Sequence, residues 1–248
     1  MPQMKLKVGI KNLRPGMNIL DIKVPNALRQ KRASGISWFD SVLGGEGFTP
    51  STSIMLTGTP GAGKTTMMLQ LADSLTKSGH VVLFNTGEES LYQVKLTAER
   101  LRLQNGFVCG QDTYVEEIIK HAKKLQRNNP SKQVFILQDS LQTCDDGKYA
   151  NGTNGSSSVR SCEMLTDWAK ETMGVVIFIG QVTKDGSFAG KNAIKHTVDV
   201  HLHLEIDREK KSETFGERVF EAQKNRFGCS GLAFVLGMEK NGLYEKQL

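Results

Sequence analysis

Cysteine is scarce in this sequence, and the few cysteines that it has are far apart. No Cys-x-x-Cys pair occurs, and no histidine stands at the spacing of a zinc site. These absences exclude a zinc ribbon and a disulfide framework, and they predict a protein of a reducing compartment that binds no zinc. The cysteines are Cys109, Cys144, Cys162 and Cys229.

The sequence also lacks an apolar run of about 18 residues, the length that a helix needs to span a bilayer. Its N-terminus carries charge but lacks the apolar core of a signal peptide. We therefore expect a soluble, cytoplasmic protein with no membrane partner.

Most of the chain has no excess of charge of one sign, although the formal net charge of the whole chain is +6. Residues 1–32 hold eight basic side chains against one acid, whereas the other 216 residues hold 24 basic and 25 acidic ones. This near-neutral body excludes a uniformly basic nucleic-acid binder. We expect residues 1–31 to form a basic arm and residues 32–248 to form the folded core.

What the sequence does contain is an alternation of short apolar runs with longer segments of helical period. Its 248 residues, 38% of them hydrophobic, suffice for the core of one α/β domain. The alternation indicates a mainly parallel central sheet flanked by helices, with antiparallel strands at the C-terminal end. The predicted parallel strands are Ser53–Leu56, Val81–Asn85, Gln133–Leu137 and Val175–Ile179, and the predicted helices are Lys64–Lys77, Leu91–Leu103, Val115–Arg127 and Val159–Met173. The predicted antiparallel strands are Val198–Ile206, Arg218–Gln223 and Leu232–Leu236, followed by a hairpin through Asn241 and Gly242.

A segment of low complexity interrupts this pattern at Cys144–Ser158, where glycine, serine and asparagine predominate. Such a composition buries little surface. It predicts a mobile loop that becomes ordered when something binds it.

Residues 58–65 match the pattern G-x-x-x-x-G-K-[ST] in full, directly after an apolar strand and at the start of a helix. Glycines in such a loop let backbone N–H groups and the positive helix end surround a phosphate. We expect Lys64 to neutralise charge on the β- and γ-phosphates and the Thr65 hydroxyl to occupy one position on Mg²⁺. The predicted nucleotide-binding residues are Gly58, Thr59, Pro60, Gly61, Ala62, Gly63, Lys64, Thr65 and Thr66.

Acidic side chains follow two of the predicted parallel strands. Asp139 comes after an apolar run, at the carboxyl edge beside the phosphate loop, and we expect it to be an outer-sphere Mg²⁺ ligand. An Asp at such a place is otherwise a turn residue or a helix cap. Glu88 and Glu89 follow the strand Val81–Asn85, where a general base belongs. Either Glu could instead lie in the first turn of the next helix, where its negative charge interacts favourably with the helix dipole. Residue chemistry alone leaves both interpretations open.

Several separated segments occur in a recognisable order along the chain. They are Ser34–Ser37, Val42–Gly45, Thr86–Ser90, Gln93–Lys95, Ala98–Leu101, Asp139–Thr143, Gly180–Lys184, Ala189–Gly190, His196–Asp199 and Lys224–Gly228. Their order resembles the bacterial RadA (Sms) branch of RecA-like ATPases, of which the last segment is the hallmark, and the chain is also similar to DnaB-type hexameric helicases. The resemblance extends from about residue 32 to about residue 237 and implies a RecA-like P-loop ATPase core with ATP and Mg²⁺ as cofactors.

The resemblance implies roles for individual residues. Glu88 occupies the water-activating position, and Gln181 stands where RecA-like proteins have a polar γ-phosphate sensor and RadA proteins usually have His. Lys224 and Arg226 match the basic pair that reaches the nucleotide of a neighbouring subunit in trans. Two cations one residue apart on a strand point to one face, so both can meet a γ-phosphate. Without the resemblance, the pair would be interpreted as a solvated strand end.

The resemblance further implies a homo-oligomeric, hexameric ring on single-stranded DNA, with DNA contacts in Cys144–Ser158 and Lys184–Lys195. Their lysines suit a phosphate backbone, and Tyr149 and Phe188 are available for base stacking, although by composition alone both segments are ordinary connectors. The candidate DNA-binding residues are Lys148, Lys184, Lys191 and Lys195.

In the family, a four-cysteine zinc module and a protease-like domain accompany this core, and we expect this protein to lack both. The expected function is that of a DNA-dependent ATPase and 5′–3′ DNA helicase that promotes branch migration or strand exchange in homologous recombination and repair. Recombinase or replication proteins are further expected partners. The alternatives are a DnaB-like replicative helicase core and a KaiC-like ATP-dependent switch that acts on protein partners.

His201 and His203 alternate on a predicted strand and therefore share one face. Two histidines suggest a metal site, but the sequence offers no third ligand. We expect a half-buried strand surface instead.

Overall fold

In the part of the chain that the structure describes, nine strands form one sheet. The structure, a computed structural model, describes residues 16–148, 153–180 and 191–247, with the backbone alone for residues 191 and 192. The strands are β1 Thr52–Thr57, β2 Val81–Thr86, β3 Val108–Gly110, β4 Val134–Asp139, β5 Val175–Ile179, β6 Val200–Ile206, β7 Arg218–Asn225, β8 Ala233–Glu239 and β9 Gly242–Glu245. Their order is β3-β2-β4-β5-β1-β6-β7-β8-β9. Neighbours from β3 to β6 are parallel and those from β6 to β9 are antiparallel, which confirms the predicted class.

Helices cover the sheet, and none of the described ones combines the length and apolarity needed to cross a membrane. The predicted helix Lys64–Lys77 is found with those bounds. The helix that begins at Leu91 ends at Arg100, before the predicted Leu103, because Arg102 adopts a left-handed conformation with φ of +57°. The helices are α1 Asn26–Arg29, α2 Ser37–Val42, α3 Lys64–Lys77, α4 Leu91–Arg100, α5 Val115–Asn128, α6 Gly155–Thr172 and α7 Lys191–Thr197, with 3₁₀ turns at Ile19–Asp21 and Leu141–Thr143.

The core has two layers, one on each face of the sheet. Ile54 and Leu56 of β1 pack with residues of α2, α3 and α4, whereas Met55 packs with residues of α5, α6 and α7. Every residue of β1, β4 and β5 is buried. Cover on both faces explains why these strands were recognisable as nearly continuous apolar runs.

The prediction of a mobile loop at residues 144–158 is wrong at both ends of this segment. Cys144 and Ser157 are fully buried. The Asn154 side chain accepts hydrogen bonds from backbone N–H groups in the first turn of α6, and the Ser157 hydroxyl donates to the Cys144 carbonyl at 3.1 Å. A helix cap and a buried hydroxyl thus supply partners that composition does not reveal. Residues 149–152 lie outside the described residues.

The second segment expected to contact DNA, Lys184–Lys195, is not a connector at its C-terminal end, because residues from Lys191 onward belong to the helix α7. Ile194 is fully buried in the layer formed with α5 and α6. Burial of this side chain fixes the helix against the sheet. Residues 181–190 lie outside the described residues.

Three short elements show no recognisable sequence pattern: α1, α2 and β3. The strand β3 has three residues, too few to display a period, and its Val108 is exposed at the sheet edge. In α2, Trp38, Phe39 and Val42 are buried, but a six-residue helix spans less than two turns.

His201 and His203 both contact the hydroxyl of Thr57, the last residue of β1. Thr57 Oγ1 lies 2.7 Å from His201 Nε2 and 2.9 Å from His203 Nδ1. His201 is only 5% exposed, so it is more buried than a half-buried strand surface implies. The described residues contain no group of three or more His, Cys, Asp or Glu side chains that could hold a metal ion. These histidines therefore have a hydrogen-bonding partner in the core.

Replacing His201 with Gln tests this burial, because Gln offers Thr57 a polar partner but takes up no proton. Burial, followed by the charge of Lys195, lowers the pKa of His201 to about 4. The unfolded chain keeps a value near 6.5, so protons favour the unfolded state as the pH falls below 6.5. Between pH 7.5 and 4.5 the wild type should lose about 2–3 kcal/mol more unfolding free energy than the variant in urea melts. Equal losses would contradict this assignment.

Candidate nucleotide-binding site

Residues 58–63 connect the end of β1 to the start of α3. Gly61 and Gly63 have φ of +80° and +108°, a region that side chains disfavour. A Cβ on Gly58 would lie 1.8 Å from the carbonyl oxygen of Leu204, so β6 leaves no space for one. Glycine is therefore needed at these positions for the loop to reach the positive end of α3, where an anion binds.

Lys64, the first residue of α3, extends back over the loop. Its Nζ donates to the carbonyl oxygens of Gly58 at 2.8 Å and Thr59 at 3.0 Å. Burial lowers the pKa of Lys64, whereas the charges of Asp139 and Glu88 raise it. The ammonium thus lies where phosphate oxygens can replace its carbonyl partners.

Thr65 and Asp139 meet through a hydrogen bond, in which Thr65 Oγ1 donates to Asp139 Oδ2 at 2.6 Å. Asp139 is the last residue of β4 and is 5% exposed. Burial raises its pKa to about 6, against the opposing effects of the Thr65 hydrogen bond and the Lys64 charge. Hydroxyl and carboxylate oxygens are ligands that Mg²⁺ prefers, so this pair fits a magnesium ion bound with a nucleotide.

Glu88 lines the same cavity as the phosphate loop, a space of about 480 Å³. Its Oε1 accepts a hydrogen bond from the Ser140 hydroxyl. Glu89 is not among the described residues that line the cavity, and its backbone N–H donates to Thr86 Oγ1 at 3.0 Å. The geometry favours Glu88 over Glu89 as the water-orienting base. Ser140, which follows Asp139 directly, is a supporting residue that the sequence analysis missed.

The cavity is also lined by residues that the sequence analysis did not assign to the site. Arg218 begins β7 and pairs with Ile206 at the carboxyl end of β6, so it lies at the same edge as the phosphate loop. The prediction of Val198–Ile206 and Arg218–Gln223 as successive antiparallel strands contained this signal, since antiparallel neighbours bring the end of one strand beside the start of the next. These additional lining residues are Arg100, Ile179, Arg218, Met238 and Glu239.

Lys224 and Arg226 lie near the start of β6, at the end of the parallel strands that is opposite the phosphate loop. The Arg226 N–H donates to the Asp199 carbonyl at 3.2 Å, and the Asp199 N–H donates to the Ser53 carbonyl at 2.9 Å. Ser53 is four residues before Thr57, about 13 Å along a strand. Neither cation is among the described residues that line the cavity. The pair is therefore remote from its own phosphate loop.

Both cations contact the C-terminal end of α7. Lys224 Nζ donates to the Lys195 carbonyl at 2.8 Å, and Arg226 Nη2 donates to the His196 carbonyl at 3.4 Å. Arg226 Nη1 also donates to Asp199 Oδ1 at 3.2 Å. Burial, then the nearby Arg226 charge, lowers the pKa of Lys224. The two side chains thus share one side of the sheet, next to a helix end that favours cations.

The remaining predicted site residues follow two neighbouring strands. Gln181 and Lys184, and the side chain of Lys191, lie outside the described residues. Lys148 is exposed in the segment after β4, and Lys195 is partly exposed in α7, after the segment that leaves β5. Since β4 and β5 pair directly, both segments start at one place on the sheet.

A phosphate loop between β1 and α3, with acids at the ends of adjacent parallel strands, defines a P-loop nucleotide-binding domain. Two solved structures share its RecA-like fold. One, an ATPase domain, superposes with a TM-score of 0.77 at 17% identity, over 88% of this chain and 92% of that chain. The other, a DnaB-like replicative helicase, superposes with a TM-score of 0.75 at 18% identity, over 86% and 61%.

Sequence comparison identifies the family. A family model described as the KaiC ATPase matches residues 32–230, and the chain belongs to that family. It is also similar to RadA proteins, as predicted. The DNA repair protein RadA of Haemophilus influenzae is 37% identical over 215 residues, 86% of this chain and 44% of that protein. RadA of Bacillus subtilis is 37% identical over 84% of this chain and 43% of that protein. The chain thus spans less than half the length of these relatives.

Opposite effects of Asp139→Asn on stability and on binding test the magnesium assignment. The buried carboxylate is costly at neutral pH, so the variant should be more stable without nucleotide, by about 1–3 kcal/mol in urea melts at pH 7.5. Its affinity for ATP in Mg²⁺ should fall at least about tenfold by calorimetry, because a carboxylate ligand is lost. Thr65→Ala should weaken binding without that gain in stability, and Thr76→Ser, far along α3, is the control. An Asp139→Asn chain that binds Mg²⁺ and ATP normally would refute the assignment.

Proposed function

We propose that this chain is a RadA-like, DNA-dependent ATPase that forms a hexameric ring on single-stranded DNA. There it promotes branch migration or strand exchange in homologous recombination and repair, with ATP and Mg²⁺ as cofactors. The observation that carries this proposal is the separation of Lys224 and Arg226 from their own phosphate loop. A site that needs their charge has to receive it from a second copy of the chain.

Such sharing leads to a ring for a geometric reason. The contact joins two different surfaces of the chain, the cavity edge of one subunit and the Arg226 edge of the next. Heterologous contacts of this kind repeat from subunit to subunit and close into rings when the rotation permits. The hexamer is taken from the resemblance to DnaB-type helicases.

Each shared site would divide the work of hydrolysis. Bound Mg²⁺, held through Thr65 and Asp139, would offset negative charge on the β- and γ-phosphates, and Lys64 would add to this. Glu88, oriented by the Ser140 hydroxyl, would accept a proton from the attacking water. Arg226 of the neighbouring subunit, with Lys224, would stabilise charge on the γ-phosphate as it is transferred to water. Gln181 is the proposed γ-phosphate sensor.

DNA binding is proposed for the segments that leave β4 and β5. Lys148 and Lys195 belong to the described part of this region, and Lys184 and Lys191 complete the proposed set. Lysines on such segments suit the phosphates of a single strand without base readout. The basic arm at residues 1–31 would add sequence-independent contacts to DNA or to the adjacent subunit. Cytoplasmic localisation and contacts with recombinase or replication proteins belong to the same proposal.

Mixing two inactive variants tests the shared site. Arg226→Ala should lower ATP turnover at least about 100-fold, the effect of losing a trans-acting arginine, while analogue binding changes less than about threefold. Glu88→Gln should also be inactive because it lacks the base. A mixture should regain activity, since some sites combine an intact Glu88 with an intact Arg226. A mixture of Arg226→Ala with the double variant R226A/E88Q is the control and should stay inactive. Failure of the first mixture to recover would exclude a trans role.

Stimulation of ATP turnover by single-stranded DNA separates the proposed function from its alternatives. Lys148→Ala combined with Lys195→Ala should weaken binding to labelled oligonucleotide and reduce the slope of log K against log salt by about 1.4 for two lost contacts. Lys123→Ala, an exposed lysine on α5, is the matched control. ATP turnover that ignores DNA would instead favour a switch of the KaiC kind, which the family model supports. Processive unwinding of a forked duplex would favour a DnaB-like helicase, which the fold supports.

A further inference from the structure

Asp199, the residue before β6, carries a buried carboxylate that joins three parts of the chain. Its side chain is only 2% exposed. Oδ2 accepts hydrogen bonds from the N–H group of Ser53 at 3.0 Å and from its hydroxyl at 3.3 Å. The Asp199 N–H in turn donates to the Ser53 carbonyl. These bonds fix the carboxylate to the start of β1, in the middle of the sheet.

Each carboxylate oxygen of Asp199 serves a different cation. Lys170 of α6 donates its ammonium to Oδ2, the oxygen that Ser53 also contacts. Arg226 donates Nη1 to Oδ1. The Lys170 side chain is 25% exposed and that of Arg226 is 53% exposed. A buried carboxylate needs one cation for compensation, and Lys170 meets that need. The ion pair between Asp199 and Arg226 therefore has a different effect, because it holds the exposed arginine in place.

Arg226 is held at further points around this carboxylate. Its backbone N–H donates to the Asp199 carbonyl and its Nη2 to the His196 carbonyl at the end of α7. Lys224 is fixed beside it by the carbonyl of Val198, at 2.6 Å. An arginine has five N–H donors in a planar fork, so two side-chain bonds leave capacity for a phosphate. The half-exposed guanidinium is thus oriented rather than enclosed.

We propose that Asp199 is a positioning residue, which orients the Arg226 guanidinium toward the nucleotide of the neighbouring subunit. The inference rests on the trans role of Arg226 in the proposed function. An unrestrained arginine side chain loses rotamer entropy when it engages a phosphate. Asp199 restricts that freedom before ATP arrives, and a displacement of about 1 Å in such a group can cost 100-fold in rate.

Two variants separate positioning from folding. Asp199→Asn combined with Lys170→Met removes both members of the buried ion pair, so no buried charge remains unpaired. Asp199→Glu keeps the charge for Lys170 but shifts the carboxylate by one methylene. Both should lower kcat, the first about 10- to 100-fold, with ATP affinity within about twofold of wild type because the phosphate site is untouched. Ser53→Ala, which loses one bond to Oδ2 and leaves Arg226 paired, should keep its kcat.

Mixtures of variant subunits distinguish a positioning role of Asp199 from a purely structural one. D199N/K170M subunits mixed with Glu88→Gln subunits should regain turnover, because the second subunit supplies a correctly held Arg226. Mixed with Arg226→Ala subunits they should not. Normal kcat in both Asp199 variants, or equal recovery in the two mixtures, would overturn the inference while leaving the proposed function intact. If Arg226→Ala itself keeps its turnover, the trans site fails and this inference fails with it.

Discussion

The reversal of chain direction between β6 and β7 is the constraint on which the site depends. β6 runs parallel to β1 and β7 runs back beside it, so β7 crosses the sheet from the phosphate-loop edge to the opposite edge. Arg218 at its start lines the chain's own cavity, whereas Arg226 lies just beyond its end. About 25 Å of strand separates these two arginines. One nucleotide cannot receive both from a single copy, so the proposed role of Arg226 requires a second copy of the chain.

Two buried carboxylates, Asp139 and Asp199, lie near opposite ends of the parallel strands and differ in the partners that compensate their charge. Asp139 has a hydroxyl partner, and burial still raises its pKa to about 6, so its charged form gains from a bound cation. Asp199 already has the cations of Lys170 and Arg226. The environment of Asp139 suits a carboxylate that binds a metal ion, and that of Asp199 suits a carboxylate that holds neighbouring side chains in place. Similar side chains in one sheet thereby acquire different tasks.

Local patterns were enough to predict the strands β1, β2, β4 and β5, the crossover helices and the phosphate loop, because burial on both faces and the G-x-x-x-x-G-K-[ST] spacing can be recognised in consecutive residues. The positions of Ser140 and Asp199 depend on contacts across more than 50 residues, which no local pattern carries. That of Arg218 depends on the register between β6 and β7. Composition misled at residues 144–158, where Asn154 caps α6 and Ser157 is buried. Lys224 and Arg226 were found only through their family resemblance.

A structure of the chain with a non-hydrolysable ATP analogue, Mg²⁺ and single-stranded DNA, determined by electron microscopy, tests the shared site most directly. The predicted result is a closed ring in which Arg226 of each subunit, still paired with its own Asp199, lies about 3 Å from the γ-phosphate bound by Lys64 of the next subunit. A nucleotide completed only by residues of its own subunit, with Arg226 directed into solvent, would contradict it.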